Sequence, residues 1–130
     1  MLIDGFVSAA KGRGGPLDVP LFWWQGFSGR YHLTSIFDLK KFECREPGAF
    51  ILVRREHDGT RTPLFAGVAN SISDDIYDDD CGDELMRAIR AGANEIHVNF
   101  AADCEWLRDE MVKDVARGWS LKGLGARVYA

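Results

Sequence analysis

Apolar runs in the middle of the chain predict three β-strands. Residues 49–55 and 62–69 are apolar and β-prone, and an Asp-Gly pair lies between them. Two such runs joined by this turn signal indicate a β-hairpin. Pro63 falls near the start of the second strand, where a missing N–H does least harm. A third strand is predicted over 95–101.

Helical spacing of apolar residues predicts two helices later in the chain, over 83–91 and 103–117. Gly92 supplies a stop signal for the first helix, and Asp103 is the expected N-cap of the second. Cys104 falls on the apolar stripe of the second helix, and this position predicts a buried, unreactive thiol.

A shorter helix is predicted to end near Lys41. Thr34 or Ser35 is its expected N-cap, because Ser35 and Asp38 have the spacing of a capping box. In this interpretation the segment before residue 31 contributes no regular element.

The order of hairpin, helix, strand and helix favours a small α/β or α+β fold, in which a three-stranded sheet with an N-terminal hairpin is flanked by helices. The length of 130 residues fits one domain. Within it we expect a loop-rich N-terminal extension over 1–30, a core over 31–117 and an irregular tail over 118–130.

Five aromatic residues lie within the span 22–31, and they allow three interpretations. The favoured one is that they pack the N-terminal segment onto the core. The alternatives are an exposed contact patch for a partner and a stacking platform for nucleic-acid bases. These residues are Phe22, Trp23, Trp24, Phe27 and Tyr31.

The net charge and its placement change the functional expectations. The 16 basic and 20 acidic side chains give a formal charge of −4, which disfavours nonspecific binding to nucleic-acid phosphates. Seven acids and no base lie between Asp74 and Glu84. This acidic stretch is interpreted as a solvated loop and helix start, with a surface for a basic partner and a cation site as alternatives. We expect Asp78, Asp79 and Asp80 to be largely exposed.

The cysteine pattern and the hydropathy of the chain favour a cytoplasmic protein. Three widely spaced cysteines match no zinc motif and are expected to stay reduced. No run approaches the ~18 apolar residues of a membrane helix, and no signal peptide is recognised. No cofactor-binding motif is found, so we expect no cofactor and no membrane partner. The cysteines are Cys44, Cys81 and Cys104.

The three histidines, His32, His57 and His97, are far apart in the sequence and form no ligand pair. His97 alternates with Ile96 and Val98 on the predicted third strand, so its side chain is expected on the other side of the sheet. An ordinary hydrogen-bonded histidine is favoured over a catalytic base.

Two short motifs flank the predicted hairpin turn: Gly-Ala-Phe-Ile at 48–51 and Leu-Phe-Ala-Gly at 64–67. A later run at 91–98 reads Ala-Gly-Ala-Asn-Glu-Ile-His-Val. In their order and spacing these motifs resemble a GIY-YIG nuclease domain, over about residues 31–117. The resemblance implies a hairpin of two signature strands, followed by a helix with an essential Arg and a last helix with a metal-binding Glu.

The residues that cut in the family are altered in the first half of this chain. The family's two tyrosines fall on Phe50 and Phe65, which keep the ring and lose the hydroxyl, while Gly67 matches the glycine that ends the second motif. The position implied for the catalytic Arg falls on Asp75. A carboxylate there would repel a scissile phosphate instead of stabilising its developing charge.

The second half of the chain departs from the family as well. The position implied for the metal-binding Glu falls on Arg108, although Glu105 and Glu110 lie close enough for a shifted alignment. The family's terminal Asn has no counterpart over 119–130. Loss of one such group commonly costs about 100-fold in rate, so we expect no nuclease activity of the GIY-YIG type and no catalytic residues.

Three functions from different classes remain as hypotheses. The leading one is a non-catalytic binding or protein-interaction domain on a degenerate GIY-YIG-like scaffold, with a protein partner or a second copy as its ligand. The second is a metal-dependent nuclease or hydrolase with a rebuilt carboxylate site, for which Asp75, Asp78, Glu105 and Glu110 are the weak metal-site candidates.

The third hypothesis is a nucleic-acid-binding module without catalysis. It would use Arg54, Arg55 and Arg61 around the hairpin turn. The nearby acidic stretch and the net negative charge disfavour it.

Overall fold

Five antiparallel strands form one sheet in the order β1-β2-β5-β3-β4 in the computed structural model, which describes residues 19–77 and 82–119. The strands are β1 Leu21–Gln25, β2 Tyr31–Asp38, β3 Gly48–Arg55, β4 Arg61–Ala69 and β5 Glu95–Asn99. The helices are α1 Ile72–Ile76, α2 Asp83–Arg90 and α3 Glu105–Gly118, and a 3-10 turn spans Leu39–Lys41.

The central hairpin is confirmed. Strands β3 and β4 pair antiparallel, and Gly59 in the connecting turn adopts a φ of 93° that favours glycine. Pro63 lies near the start of β4, at an edge of the sheet and next to a shift in register. Both locations suit a residue that has no N–H. The predicted β5, α2 and α3 are confirmed with ends that differ by at most two residues.

The expected three-stranded sheet is wrong, because β1 and β2 extend it to five strands and give an α+β fold. Strand β1 lies within the segment expected to be loop-rich. Strand β2 occupies most of the span where the short helix was expected, and only Leu39–Lys41 is helical, as a 3-10 turn. Strand β2 pairs with β1 on one side and with β5 on the other. Two backbone ladders and the burial of Thr34 and Ile36 outweigh the local capping signal at Ser35 and Asp38.

The start of α3 also differs from the prediction. The N-cap is Cys104 and not Asp103, and no side chain caps the helix. Cys104 is exposed, so the prediction of a buried thiol at this position is wrong. The helix begins after Cys104, and the stripe that faces the sheet is formed by Met111, Val112, Val115 and Ala116.

Apolar side chains cover both faces of the sheet and form two separate clusters. Helices α1 and α2 cover one face, whereas α3 covers the other. Strand β3 contributes to both clusters and is buried along six consecutive residues from Gly48 to Val53. The first cluster includes Phe50, Leu52, Phe65, Ile72, Ile76, Leu85, Ile96 and Val98, and the second includes Trp24, Ala49, Ile51, Val53, Ala66, Met111, Val112 and Val115.

Among the described residues, no helix has the length and apolar character needed to cross a membrane.

Gly67 leaves space for two aromatic rings in the first cluster. It pairs with Phe50 across the hairpin, and a Cβ at this position would lie 2.8 Å from Cε2 of Phe65 and 3.2 Å from Cζ of Phe50. Atoms at such distances overlap, so a larger residue would displace rings that are already close-packed.

We expect Gly67→Val to lower the free energy of unfolding by about 1–3 kcal/mol, because it overpacks this cluster. Urea denaturation followed by circular dichroism measures the change. Phe65→Leu removes the ring atoms that contact position 67. In a protein that carries Phe65→Leu, the further change Gly67→Val should therefore cost less stability than it does in the wild type. Thr62→Val on the same strand serves as the control and should be nearly neutral, and an equal loss in both valine variants would contradict the packing argument.

Candidate functional site

The positions implied for the two catalytic tyrosines lie inside the core. The rings of Phe50 and Phe65 stack with centroids 5.9 Å apart, and the two residues are only 3% and 5% exposed. They pack against Ile72 and Ile76 of α1 within the first apolar cluster. No hydroxyl or open surface is therefore presented at these two positions.

The other positions that the resemblance implies for catalysis lie away from these two rings. Asp75 is exposed on α1, over the same face of the sheet as the two rings. Arg108 and Glu110 lie on α3, which covers the opposite face, and the Arg108 guanidinium donates to the carbonyl of Ala102. The structure thus separates Asp75 from Glu110, two of the carboxylates named for a rebuilt metal site, by the thickness of the sheet.

No group of three or more His, Cys, Asp or Glu side chains within the described ranges has an arrangement that could hold a metal ion. Asp78, another of the candidate metal ligands, lies outside the described residues.

Part of the acidic stretch can be placed. Asp74 accepts a hydrogen bond from Ser71 and lies 3.4 Å from the Arg45 guanidinium, while Asp75 and Asp83 are exposed. The expectation of exposure for Asp78, Asp79 and Asp80 concerns residues that the structure does not describe.

The arginines proposed for nucleic-acid contact all have acidic neighbours. Arg54 pairs with Glu56, Arg61 pairs with Glu95 at 2.8 Å, and Arg55 lies 4.0 Å from the same Glu95 carboxylate. These contacts offset the positive charge around the hairpin turn, so little of it is left for phosphate groups.

A chain of polar contacts crosses the α3 face of the sheet. The indole N–H of Trp24 donates to Nδ1 of His97 at 2.9 Å, so Nδ1 is unprotonated. The other ring nitrogen, Nε2, therefore carries the hydrogen and donates to Glu95 at 2.9 Å. Arg61 donates to the same carboxylate. This arrangement confirms that His97 faces away from Ile96 and Val98, which belong to the first cluster.

Burial and hydrogen bonding set the ionisation of this chain. Burial acts to raise the pKa of Glu95, but hydrogen bonds from His97 and Arg61 outweigh it and lower the pKa from 4.5 to about 2. Burial lowers the pKa of His97, against an opposing effect of Glu95. His97 is fully buried and both of its nitrogens are occupied, so it has no free nitrogen to act as a general base.

A second polar cluster joins the β1–β2 turn to α3 through Asp114. One carboxylate oxygen accepts from the hydroxyl of Ser28 at 2.7 Å and from Nε2 of His32 at 2.8 Å, and the other accepts from the backbone N–H of Ser28. Burial acts to raise the pKa of Asp114, but the hydrogen bonds from His32 and Ser28 outweigh it, so the pKa lies below its usual value. A Cβ at Gly26 would overlap this carboxylate, so glycine is needed there.

These three residue types also occur in hydrolytic triads, but their order here is different. In a triad the imidazole lies between the hydroxyl and the carboxylate and removes the hydroxyl proton. Here Asp114 lies between Ser28 and His32, so no imidazole contacts the hydroxyl. The cluster fastens the turn to the helix and does not activate a nucleophile.

A surface cleft of about 420 Å³ lies beside this cluster, between the β1–β2 turn and α3. Three cationic side chains and two carboxylates line it, and its lining residues are Ser28, Arg30, Glu110, Lys113, Asp114, Ala116 and Arg117. The Arg117 guanidinium stacks on the exposed ring of Phe27, 4.5 Å from its centroid.

The N-terminal aromatic residues divide between core and surface, so the interpretation that they pack onto the core holds for only part of the group. Trp24 is 1% exposed and belongs to the second apolar cluster, whereas Phe27 and Tyr31 are 64% and 59% exposed. Trp106 and Trp119, at the two ends of α3, are 67% and 45% exposed. Most of these exposed rings are therefore on or next to one helix.

A comparison with protein-family models matches no family, and comparisons with curated proteins and with solved structures also find no match.

Sequence analysis did not identify the Asp114 cluster. Ser28 and His32 are separated from Asp114 by 86 and 82 residues, and neither local spacing nor hydrophobic period links them. The Trp24–His97 contact joins residues 73 apart. Only pairing of the strands brings these side chains together, and no local signal reports it.

We expect the free energy of unfolding to fall as the pH is lowered. The folded-state pKa of His97 is depressed, so stability is complete above its ordinary value of 6.5 and falls below it, by at most about 1.4 kcal/mol per pH unit and proton. Glu95 has the same sign, and its contribution is lost as the pH falls from 4.5 towards 2. Urea denaturation at a series of pH values measures the slope.

The matched test of this contribution is Glu95→Gln. It should lower stability at pH 7 by about 1–3 kcal/mol, because a charged acceptor of hydrogen bonds from His97 and Arg61 is lost, and it should flatten the acid slope. Glu46→Gln, at an exposed position, should leave both unchanged. An unchanged acid slope in Glu95→Gln would show that other groups control acid stability.

We expect Asp114→Asn to destabilise the protein by about 1–3 kcal/mol, because the amide cannot accept from Ser28 and His32 as the carboxylate does. Asp109→Asn, earlier on the same helix, is the control and should change stability by less than about 0.5 kcal/mol. Thermal unfolding of both variants gives the comparison, and equal midpoints would contradict a fastening role for Asp114.

Proposed function

We propose that this chain is a non-catalytic binding domain, built on a scaffold that resembles the GIY-YIG domain and directed at a protein partner. One observation carries the proposal. The positions that the resemblance assigns to catalysis hold two stacked rings inside the core, and the other assigned side chains lie on both sides of the sheet. No common surface contains them, whereas a cutting site needs its groups within hydrogen-bonding reach of one substrate.

The exposed rings near α3 support a role in binding instead of catalysis. Tyr and Trp are favoured anchors at protein interfaces, because they bury a large area with few rotatable bonds. Phe27, Trp106 and Trp119 are all more than two-fifths exposed. Large exposed rings beside one helix are typical of a surface that another molecule covers.

The other two hypotheses have weaker support. A rebuilt metal site has to join Asp75 with Glu105 or Glu110, which lie on helices over opposite faces of the sheet. In a nucleic-acid-binding module that uses the hairpin arginines, phosphate groups would have to compete with Glu56 and Glu95 for the guanidinium groups. A cytoplasmic location stays a prediction based on the cysteine pattern.

We expect the purified chain to nick no plasmid DNA in the presence of Mg²⁺ or Mn²⁺. Restoring the two hydroxyls with Phe50→Tyr and Phe65→Tyr should not create the activity, since the remaining groups are not near these positions. Gel analysis of supercoiled plasmid gives the measurement. Nicking by the wild type that persists in Glu46→Ala and disappears in Glu110→Ala would overturn the proposal, and nicking that persists in both variants indicates a contaminating nuclease.

A further inference from the structure

The outer side of α3 carries a narrow stripe of exposed side chains. Trp106, Glu110, Lys113 and Arg117 are exposed, and they follow one another at intervals of four, three and four residues. Such intervals place side chains on one side of a helix. The opposite side carries the residues that pack on the sheet. We call these four residues the α3 stripe.

The charged groups in the middle of the stripe have no partners among the residues that the structure describes. Within the described ranges, Glu110 and Lys113 make no hydrogen bond or ion pair through their side chains, although they lie three residues apart. Trp106 likewise contacts no other ring, and Arg117 is held in place by Phe27. The stripe therefore presents an exposed indole, a carboxylate, an ammonium group and a positioned guanidinium.

The order of these groups makes the stripe complementary to itself. Trp106 and Arg117 are equally far from the point between Met111 and Val112, and so are Glu110 and Lys113. Two copies of α3 that pack antiparallel about this point place Glu110 opposite Lys113 and Trp106 opposite Arg117, and the two-fold axis makes each contact twice. Parallel packing would instead face each charge with its own kind, which is destabilising.

We propose that the α3 stripe is the interface between two antiparallel copies of this chain. The contacts are two Glu110–Lys113 ion pairs and two stackings of Trp106 on Arg117, all between copies. This inference names the partner of the proposed binding domain and rests on that proposal.

The cleft beside the stripe gives the partner's indole a place to bind. It is about 420 Å³ in volume, and Lys113 and Arg117 line it together with Ser28 and Arg30 of the β1–β2 side. Trp106 of the second copy approaches this end of the helix in the antiparallel arrangement. An aromatic side chain that fills a pocket of the partner is a frequent source of binding energy.

The interface is small, and its affinity follows from that. A stable complex usually buries about 800 Å² on each partner. A stripe along one helix of 14 residues presents less than such an area. We expect a dimer that dissociates with a Kd on the order of micromolar and weakens in high salt, because its ion pairs are at the surface.

Charge reversal gives the test. Glu110→Lys and Lys113→Glu each turn two attractive contacts into repulsive ones, so each should raise the dimer Kd by about tenfold or more. The variant with both changes exchanges the charges and should return to within about threefold of the wild type. Trp106→Ala should also raise the Kd by about tenfold. Sedimentation velocity of the full 130-residue chain, over about 1 µM to 1 mM, measures all of them.

Glu46→Lys is the matched control. It makes the same charge change at an exposed position beside α1, on the far side of the sheet from α3, and should leave the dimer unchanged. All changed positions are exposed, and circular dichroism checks that each variant keeps the fold.

Several results would overturn the inference. The first is a wild-type chain that stays monomeric over the whole concentration range. The second is a dimer Kd that either single charge reversal leaves unchanged. The third is a double variant whose dimer Kd does not return towards that of the wild type. A monomer that also leaves plasmid intact contradicts only the self-association. A dimer that obeys the charge exchange while cutting DNA in a Glu110-dependent manner contradicts only the non-catalytic role.

Discussion

The fold depends on a line of buried polar contacts that crosses the whole sheet on its α3 face. Trp24 of the edge strand β1 reaches across β2 to His97 on β5, and Arg61 of the opposite edge strand reaches across β3 to Glu95. His97 joins the two halves, since it accepts from one side and donates to the other. A buried polar group left without a partner is costly, so each residue in this line fixes the position of the next.

This constraint explains why His97 and Glu95, beneath α3, are not available for reaction. The imidazole and the carboxylate, which are common in catalytic sites, are both fully engaged in holding strands. Arg61 also lies over the ring of Phe22, so its charge serves packing as well as pairing. On the other face, the Phe50 and Phe65 rings fill the space that Gly67 leaves open. Both faces of the sheet are therefore committed to stability, and contact with other molecules is left to the outer surfaces of the helices and turns.

Helix α3 combines these two roles. Its inner side closes the second apolar cluster, and Asp114 fastens it to the β1–β2 turn through Ser28 and His32. The helix is therefore held at its C-terminal half by polar contacts as well as by packing. A helix fixed in this way presents its outer side chains in a defined geometry, and preorganisation of this kind lowers the entropic cost of association.

The sequence by itself determined the β3–β4 hairpin, β5, α2 and α3, because each is specified by a local period and by local turn or stop residues such as Gly59 and Gly92. It also assigned the side of the sheet that His97 faces, since alternation along a strand is local as well. Only the tertiary structure decided β1 and β2, where pairing with distant strands outweighed a capping signal at Ser35. The partners of Asp114 and the contact of His97 with Trp24 were likewise decided by tertiary structure, because hydrogen bonds across more than 70 residues follow from strand order and leave no trace in local spacing.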